Sequence, residues 1–165
     1  GPFWDPDSVA QMLDAGIGTE VTVQLGGKTD SPAIDLSGRP ITVSGTVTCL
    51  TDGRFVVTGP MATGSPMNLG RTAVLRSGGV DIVVSERRHE PFDTGCFTHA
   101  GIDPATRRYI LIKSRQHFRA GFDPIAKNVI LVAGAGVCSS DYSMFDFRNL
   151  RRPIYPLDPD ASRNA

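Results

Sequence analysis

Apolar and polar residues alternate through much of the first half of the chain. A period of two is typical of strands that bury one face, and it is clearest in the EVTVQL and ITVSGTVT stretches. Two glycine-containing turns, at Asp52-Gly53 and Gly78-Gly79, join neighbouring stretches as hairpins. The block therefore predicts an antiparallel β-meander. Its predicted strands are residues 20–25, 41–48, 54–57, 72–76 and 80–84.

A short helix is predicted ahead of this meander. Asp5 is a typical N-cap residue, Pro6 suits the first turn, and Gly16 suits the end of the helix. Val9, Met12 and Leu13 fall on one face of that helix, so we expect this face to be buried.

Continuous apolar runs replace the alternation in the second half. The runs at 109–112 (YILI) and 129–132 (VILV) are typical of strands covered on both faces. Residues 116–126 between them predict a helix with Phe118 and Phe122 on one side, although Pro124 limits its length. Strand, helix and strand in this order predict a parallel βαβ unit.

Together these patterns predict an α+β fold. We expect a mixed sheet in which the antiparallel β-meander is followed by the βαβ-like unit, with short helices, one of them at 93–99. The tail from residue 139 onward is irregular. A chain of 165 residues suits one domain, so we expect residues 1–165 to form a single domain.

Composition and charge exclude several classes of protein. The chain is 40% hydrophobic and has 17 basic and 17 acidic residues, so it is too apolar and too neutral to be mainly disordered. The absence of a basic surplus argues against nucleic acid or an anionic membrane as partners. No apolar stretch is long enough for a membrane span. Three scattered cysteines, Cys49, Cys96 and Cys138, are typical of buried thiols in a reducing compartment, which predicts a cytoplasmic location.

The most distinctive polar cluster is KSRQHFR, residues 113–119. It lies where a predicted strand ends and a predicted helix begins, a position that forms ligand crevices in open α/β sheets. Lys113, Ser114, His117 and Arg119 could bind a carboxylate or a polarised carbonyl there. The alternative is that Ser114 caps the helix and the charged side chains are simply solvated.

Two other polar groups carry weaker signals. His89, Asp93, Cys96 and His99 have spacings that could place metal ligands on one helical face, but Pro91 interrupts the helix and the mixed set is not a usual zinc site. We therefore prefer a short amphipathic helix with Cys96 buried and both histidines at the surface.

Ser139 and Ser140 form a polar stretch that could contact a ligand. Neither serine has an assigned general base, so neither is expected to act as a nucleophile. The sequence offers no complete catalytic set.

The ordered motifs of the chain resemble those of a known family. They run from the Asp5-Pro6 pair to the C-terminal tail in a fixed order and cover nearly the whole sequence. The most specific are Ala15-Gly16-Ile17-Gly18, Gly26-Gly27-Lys28, Asp52-Gly53-Arg54-Phe55, Gly59-Pro60-Met61, Pro91-Phe92-Asp93, Gly101-Ile102-Asp103-Pro104, Lys113-Ser114, His117-Phe118-Arg119-Ala120 and Arg152-Pro153-Ile154-Tyr155-Pro156-Leu157-Asp158. The series resembles the C-terminal domain of the microcystinase C (MlrC) family of zinc metallopeptidases.

The resemblance implies that the chemistry lies outside this chain. In the family, the zinc ligands and the catalytic glutamate belong to a larger N-terminal domain, so no metal ligand or catalytic residue maps here. The chain is then expected to be a fragment that binds no zinc and is inactive by itself. The zinc belongs to the full-length parent, whose reaction would be hydrolysis of amide bonds in short, microcystin-like linear peptides.

The resemblance also implies partners and a role. The N-terminal catalytic domain of the same protein and a short peptide substrate are the expected partners, and a homo-oligomer is possible. The C-terminal domain would supply a wall of the substrate cleft. The residues expected to contact substrate are Lys113, Ser114, His117, Arg119, Ser139 and Ser140.

Two alternatives to this role remain open. The chain could be a structural or oligomerisation module without ligand contact, with its basic motif forming salt bridges to the N-terminal domain. It could also be an independent binder of anionic ligands.

Overall fold

The computed structural model describes residues 2–132, 134, 138, 139 and 141–163. The chain divides into two compact units. The first combines Gly1–Gly26 with Pro40–Val129, and the second combines Gly27–Arg39 with Ile130–Ala165.

A five-stranded sheet forms the centre of the first unit. Its strand order is β1-β7-β6-β3-β2; β1 runs parallel to β7, and every other pair is antiparallel. A separate antiparallel pair, β4 and β5, completes the strands of this unit. The strands are β1 (Phe3–Trp4), β2 (Glu20–Leu25), β3 (Ile41–Thr51), β4 (Arg54–Val56), β5 (Pro66–Asn68), β6 (Thr72–Ser77) and β7 (Val80–Ser85). The predicted α+β class with a mixed sheet is confirmed, and the turn at Gly78-Gly79 joins β6 and β7 as the predicted hairpin. The hairpin predicted at Asp52-Gly53 is wrong, because β3 pairs with β6 and β4 pairs with β5 instead of with each other.

Three α-helices accompany the strands in the described part of the chain, and all are short. They are α1 (Pro6–Ala15), α2 (Gly95–Thr98) and α3 (Arg119–Phe122). None of the described helices is long and apolar enough to cross a membrane.

Local signals define α1 at both ends. The buried Asp5 carboxylate accepts hydrogen bonds from the Ser8 amide (3.1 Å), the Ser8 hydroxyl (2.9 Å) and the Gly26 amide (2.9 Å). It therefore caps α1 and ties it to the end of β2. At the other end Gly16 adopts a φ of 83°, and its amide donates to the Met12 carbonyl.

The sheet has apolar side chains packed on both faces. Consecutive residues of a strand point to opposite faces, so Ala73 and Leu75 of β6 belong to one cluster and Val74 to the other. The first cluster contains Val9 and Met12 of α1, which confirms the predicted buried face of that helix. The second cluster is completed by residues from α2, α3 and nearby turns, including Cys96, Phe97, Ala100, Ile102, Phe118 and Phe122.

The predicted βαβ-like unit is not formed by the described residues. No strand is present at 109–112 or 129–132, and the helix predicted over 116–126 is reduced to the four residues of α3. Both runs expose large apolar side chains, including Tyr109, Leu111, Ile130, Leu131 and Val132. The runs are apolar enough for buried strands, but a strand also needs a neighbouring strand to bond with, and neither run pairs with a described strand.

The second unit contains short turns. Its 3₁₀ helices are Pro32–Ile34, Tyr142–Met144 and Pro159–Arg163. In the C-terminal motif, Arg152 Nε donates to Asp158 Oδ2 (2.6 Å), and the Ile154 amide donates to the same carboxylate (2.7 Å). These bonds hold the pKa of Asp158 below its usual value and close the motif on itself.

Candidate functional site

Ser114 lies at the centre of the hydrogen bonds in the predicted 113–119 cluster. Its hydroxyl donates to Glu90 Oε1 and accepts from the Phe118 amide at 3.2 Å. The second bond satisfies an amide in the turn that precedes α3, whereas the N-cap position of α3 itself is Phe118 and has no side-chain cap. The first bond connects the turn to a carboxylate that is distant in sequence.

His117 shares this carboxylate with Ser114. Its Nδ1 atom lies 3.7 Å from Glu90 Oε1, and both side chains are exposed to solvent. Glu90 therefore joins two of the predicted site residues. The sequence analysis did not identify Glu90, although it lies directly before the Pro91-Phe92-Asp93 motif.

The two predicted cations of the cluster differ in their surroundings. Arg119 Nη1 lies 3.2 Å from Asp123 Oδ2, and its guanidinium carbon lies 5.3 Å from the centre of the Phe118 ring. The Asp123 carboxylate, directly after α3, thus partly balances the charge of Arg119. Lys113 is exposed, and no ion pair joins it to another residue in the described part of the chain. Lys113 is therefore the more available cation for a ligand.

A buried carboxylate holds the segment that carries Glu90. Asp93 Oδ2 accepts from the amides of Thr58 (3.2 Å) and Gly59 (2.7 Å), and Oδ1 accepts from the Gly95 amide (2.7 Å). Asp93 has no exposed surface. Its three bonds connect the loop after β4 to the beginning of α2, which fixes the turn between Glu90 and Gly95.

A close backbone approach brings α3 against this turn. A Cβ atom at Gly121 would lie 2.7 Å from the Phe92 carbonyl oxygen and 2.8 Å from Asp93 Cα. Only glycine fits this contact without movement of the backbone. The approach places the turn before α3, with Ser114 and His117, beside Glu90.

The His89, Asp93, Cys96 and His99 group does not form a metal site in the described residues. The Asp93 carboxylate accepts three backbone amides, and burial raises the pKa of the Cys96 thiol to about 12. No three His, Cys, Asp or Glu side chains converge anywhere among the residues that the structure describes.

The two histidines of this group pack around Phe55 instead. The ring centres of His89 and His99 each lie 5.8 Å from that of Phe55, and His99 Nδ1 lies 3.0 Å from Thr51 Oγ1. The Nε2 atoms of both rings are buried without a hydrogen-bond partner among the described residues. Burial lowers the pKa of both imidazoles below the usual value.

The remaining predicted site residues belong to the second unit. Ser139 Oγ accepts from the Asp141 amide at 3.0 Å and lies 3.5 Å from the Met144 sulfur, so it stabilises a local turn. Ser140 lies outside the described residues.

The predicted thiols differ in burial. Cys96 is buried and Cys49 is half-buried, but Cys138 is exposed. The expectation of buried thiols is therefore wrong for Cys138, whose side chain is exposed.

A surface depression of about 540 Å³ lies against β4 and β5. Arg54, Phe55, Val56, Pro66, Met67 and Asn68 line it. None of these residues belongs to the predicted site.

Comparison with known proteins identifies the family. The family model described as "MlrC C-terminus" matches residues 1–149. The chain belongs to this family. The resemblance drawn from the ordered motifs is thereby confirmed.

Two longer proteins are similar to the chain. Microcystinase C from Sphingomonas sp is 34% identical over 159 residues, a match that covers 96% of this chain and 29% of that protein. A crystal structure of a protein named "Putative metallopeptidase", from Mesorhizobium sp. BNC1, superimposes with a TM-score of 0.81 and 27% identity, covering 95% of this chain and 30% of the other. This MlrC C-terminus chain thus spans less than a third of either relative.

Proposed function

We propose that the chain is the C-terminal domain of a zinc-dependent metallopeptidase that hydrolyses amide bonds in short, microcystin-like linear peptides. In this proposal residues 1–165 act as one domain that forms a wall of the substrate cleft. Membership of the MlrC C-terminus family and the names of the two longer relatives support this class of reaction. The other proposed partners are the N-terminal catalytic domain and further copies of the same protein.

One observation carries the substrate-binding part of the proposal. Ser114 and His117 converge on Glu90 at the surface, and the exposed Lys113 directly precedes Ser114 in the chain. A short peptide offers a terminal carboxylate that suits Lys113, together with amide and amine donors that suit a carboxylate such as Glu90. Arg119 would contribute less, because Asp123 already balances its charge.

The described residues do not provide a ligand set that fits zinc. We therefore propose that the metal is held by the part of the longer protein outside this chain, and we assign no step through zinc to any residue here. The chain would bind and orient the peptide only. We expect it to be inactive by itself.

Steady-state kinetics of the longer protein test the proposed contact. Lys113→Met removes the charge and keeps most of the side-chain volume, and Lys127→Met is a matched control at another exposed lysine. Loss of one charge-assisted hydrogen bond costs about 1.5–3 kcal/mol, so we expect KM to rise at least about tenfold in the Lys113 variant with kcat little changed. Equal kinetics in the two variants would contradict substrate contact by Lys113.

The structural module is a second candidate because Tyr109 and Leu111 expose large apolar side chains. In that case the Lys113 variant would lose thermal stability or assembly in the longer protein while KM stays the same. A melting curve measured on the same preparations separates the two roles.

The cytoplasm is the proposed location. Cys49 and Cys96 are free thiols, which is typical of proteins from a reducing compartment.

A further inference from the structure

One edge of the five-stranded sheet carries two exposed aromatic side chains. β1 is the outermost strand on this side, and its two residues, Phe3 and Trp4, pair in parallel with β7. Consecutive residues of a strand point to opposite faces, so the edge presents one aromatic ring on each face. Phe3 is 39% exposed and Trp4 is 40% exposed. Both rings thus present apolar surface at an edge that no other strand of the described residues covers.

Contacts within the chain hold the Trp4 ring in one orientation. Its indole Nε1 donates a hydrogen bond to the backbone carbonyl of Glu86 (2.9 Å), and the guanidinium carbon of Arg88 lies 4.1 Å from the centre of the ring. The indole N–H is the only polar group of this side chain, so the part of Trp4 that remains exposed is apolar. Because the ring is already ordered, a partner that covers it would lose little binding free energy to side-chain ordering.

Arg88 adds a positive charge that no carboxylate balances in the part of the chain that the structure describes. Its side chain is exposed and forms no ion pair there, whereas the exposed Arg71 is paired with Glu86. Tryptophan and arginine are enriched among the residues that contribute most to protein–protein binding. We call the surface formed by Phe3, Trp4 and Arg88 the β1 edge. Its ordered aromatic rings and its unbalanced charge are typical of a protein interface.

We propose that the β1 edge docks against an acidic surface with an apolar pocket, in the part of the longer protein outside this chain. The inference rests on the proposed function only in requiring that longer protein. The matches cover 29% of microcystinase C and 30% of the Mesorhizobium chain, so more than two-thirds of each relative is available to form this surface. The apolar pocket would take the Trp4 ring, and an acidic group beside it would balance the charge of Arg88.

Hydroxyl-radical footprinting read by mass spectrometry measures the accessibility of Trp4 in two contexts. We expect Trp4 to be oxidised at least about fivefold more slowly in the longer protein than in the isolated chain, because an interface excludes water from its central aromatic side chains. Met61 is the internal control: it is 38% exposed in the loop after β4, and its oxidation rate should be the same in both contexts.

Two results of this comparison would overturn the proposal. The first is an equal oxidation rate of Trp4 in both contexts, or an equal slowing of Trp4 and Met61. The second is protection of Trp4 in the isolated chain together with a dimer in sedimentation, because a second copy would then be the occupant.

A charge reversal tests whether the docking surface is acidic. The measured quantity is the ratio of the Trp4 oxidation rate in the isolated chain to that in the longer protein, so that effects present in both contexts cancel. Arg88→Glu should reduce this ratio to about one, because it places like charges at the contact. Arg39→Glu, at another exposed arginine, should leave the ratio at its wild-type value. An unchanged ratio in Arg88→Glu, or an equal reduction in Arg39→Glu, would overturn the proposal.

Two features keep these results distinct from folding defects and from the peptidase proposal. If circular dichroism shows that Arg88→Glu unfolds the isolated chain, Arg88→Gln removes the charge without reversing it and should still reduce the ratio. Footprinting needs no peptidase activity, so its outcome is independent of the kinetic test of Lys113.

Discussion

Asp93→Asn tests whether one buried carboxylate fixes the turn that presents Glu90. The wild-type carboxylate accepts three backbone amides, two on Oδ2 and one on Oδ1. An asparagine side chain has only one oxygen, and its NH₂ group can donate but not accept. Whichever way the amide is turned, either the Gly95 amide or the amides of Thr58 and Gly59 then face a donor.

The cost follows from the number of amides left without an acceptor. A buried donor without a partner costs about 1–3 kcal/mol, and the bonds that remain lose their charge assistance. We therefore expect the free energy of unfolding to fall by about 2–4 kcal/mol. The loss should be at the lower end when only the Gly95 amide is left without an acceptor. Asp93→Ala should cost at least as much, because it leaves all three amides without their acceptor.

Urea denaturation followed by circular dichroism measures this loss. Asp52→Asn is the matched control: Asp52 is also a turn carboxylate that accepts a backbone amide, from Arg54 at 3.1 Å, but it is exposed. Water can replace its contacts, so we expect a change within about 0.5 kcal/mol. The reasoning would be refuted if Asp93→Asn were as mild as Asp52→Asn.

Two further predictions concern the same region of the first unit. Burial lowers the pKa of His89 and His99 below the usual 6.5. As the pH falls, the unfolded chain therefore binds protons at a higher pH than the folded chain does. The free energy of unfolding should then decrease as the pH falls below about 6.5. Urea denaturation at several pH values between 8 and 5 measures this decrease, and His89→Gln should make the free energy of unfolding depend less steeply on pH. A free energy of unfolding that does not change over that range would contradict the prediction. Gly121→Ala should cost about 1–3 kcal/mol, because its Cβ would press on the backbone of Phe92 and Asp93, whereas Gly79→Ala has open space and should be nearly neutral. Equal melting temperatures of the two alanine variants would show that α3 moves away freely.

Sequence motifs identify some residues of the candidate site but not others. Ser114 and His117 belong to a distinctive motif, which predicts them as site residues together with Lys113 and Arg119. Glu90 lies 24 residues before Ser114 and carries no local signal of its own. Its role depends on the close approach of Gly121 to Phe92 and on the three bonds of Asp93, and both are long-range contacts.

The apolar runs show a different limit of sequence reasoning. A run such as YILI establishes that its side chains favour burial, but not whether the covering surface belongs to the same chain. The structure buries Ile110 and Ile112 and exposes Tyr109 and Leu111. The described residues therefore do not form the predicted βαβ-like unit, although the apolar pattern that predicts it is present.

The sequence by itself determined the features that depend on neighbouring residues. The cap, first turn and stop of α1 and the Gly78-Gly79 turn between β6 and β7 are local, because each acts through a few adjacent backbone groups. Only the tertiary structure decided the parallel pairing of Phe3–Trp4 with β7, some eighty residues later, and the meeting of Ser114 and His117 at Glu90. Such contacts depend on how the whole chain closes around its core, since packing and backbone approach over long separations leave no periodic pattern in the sequence.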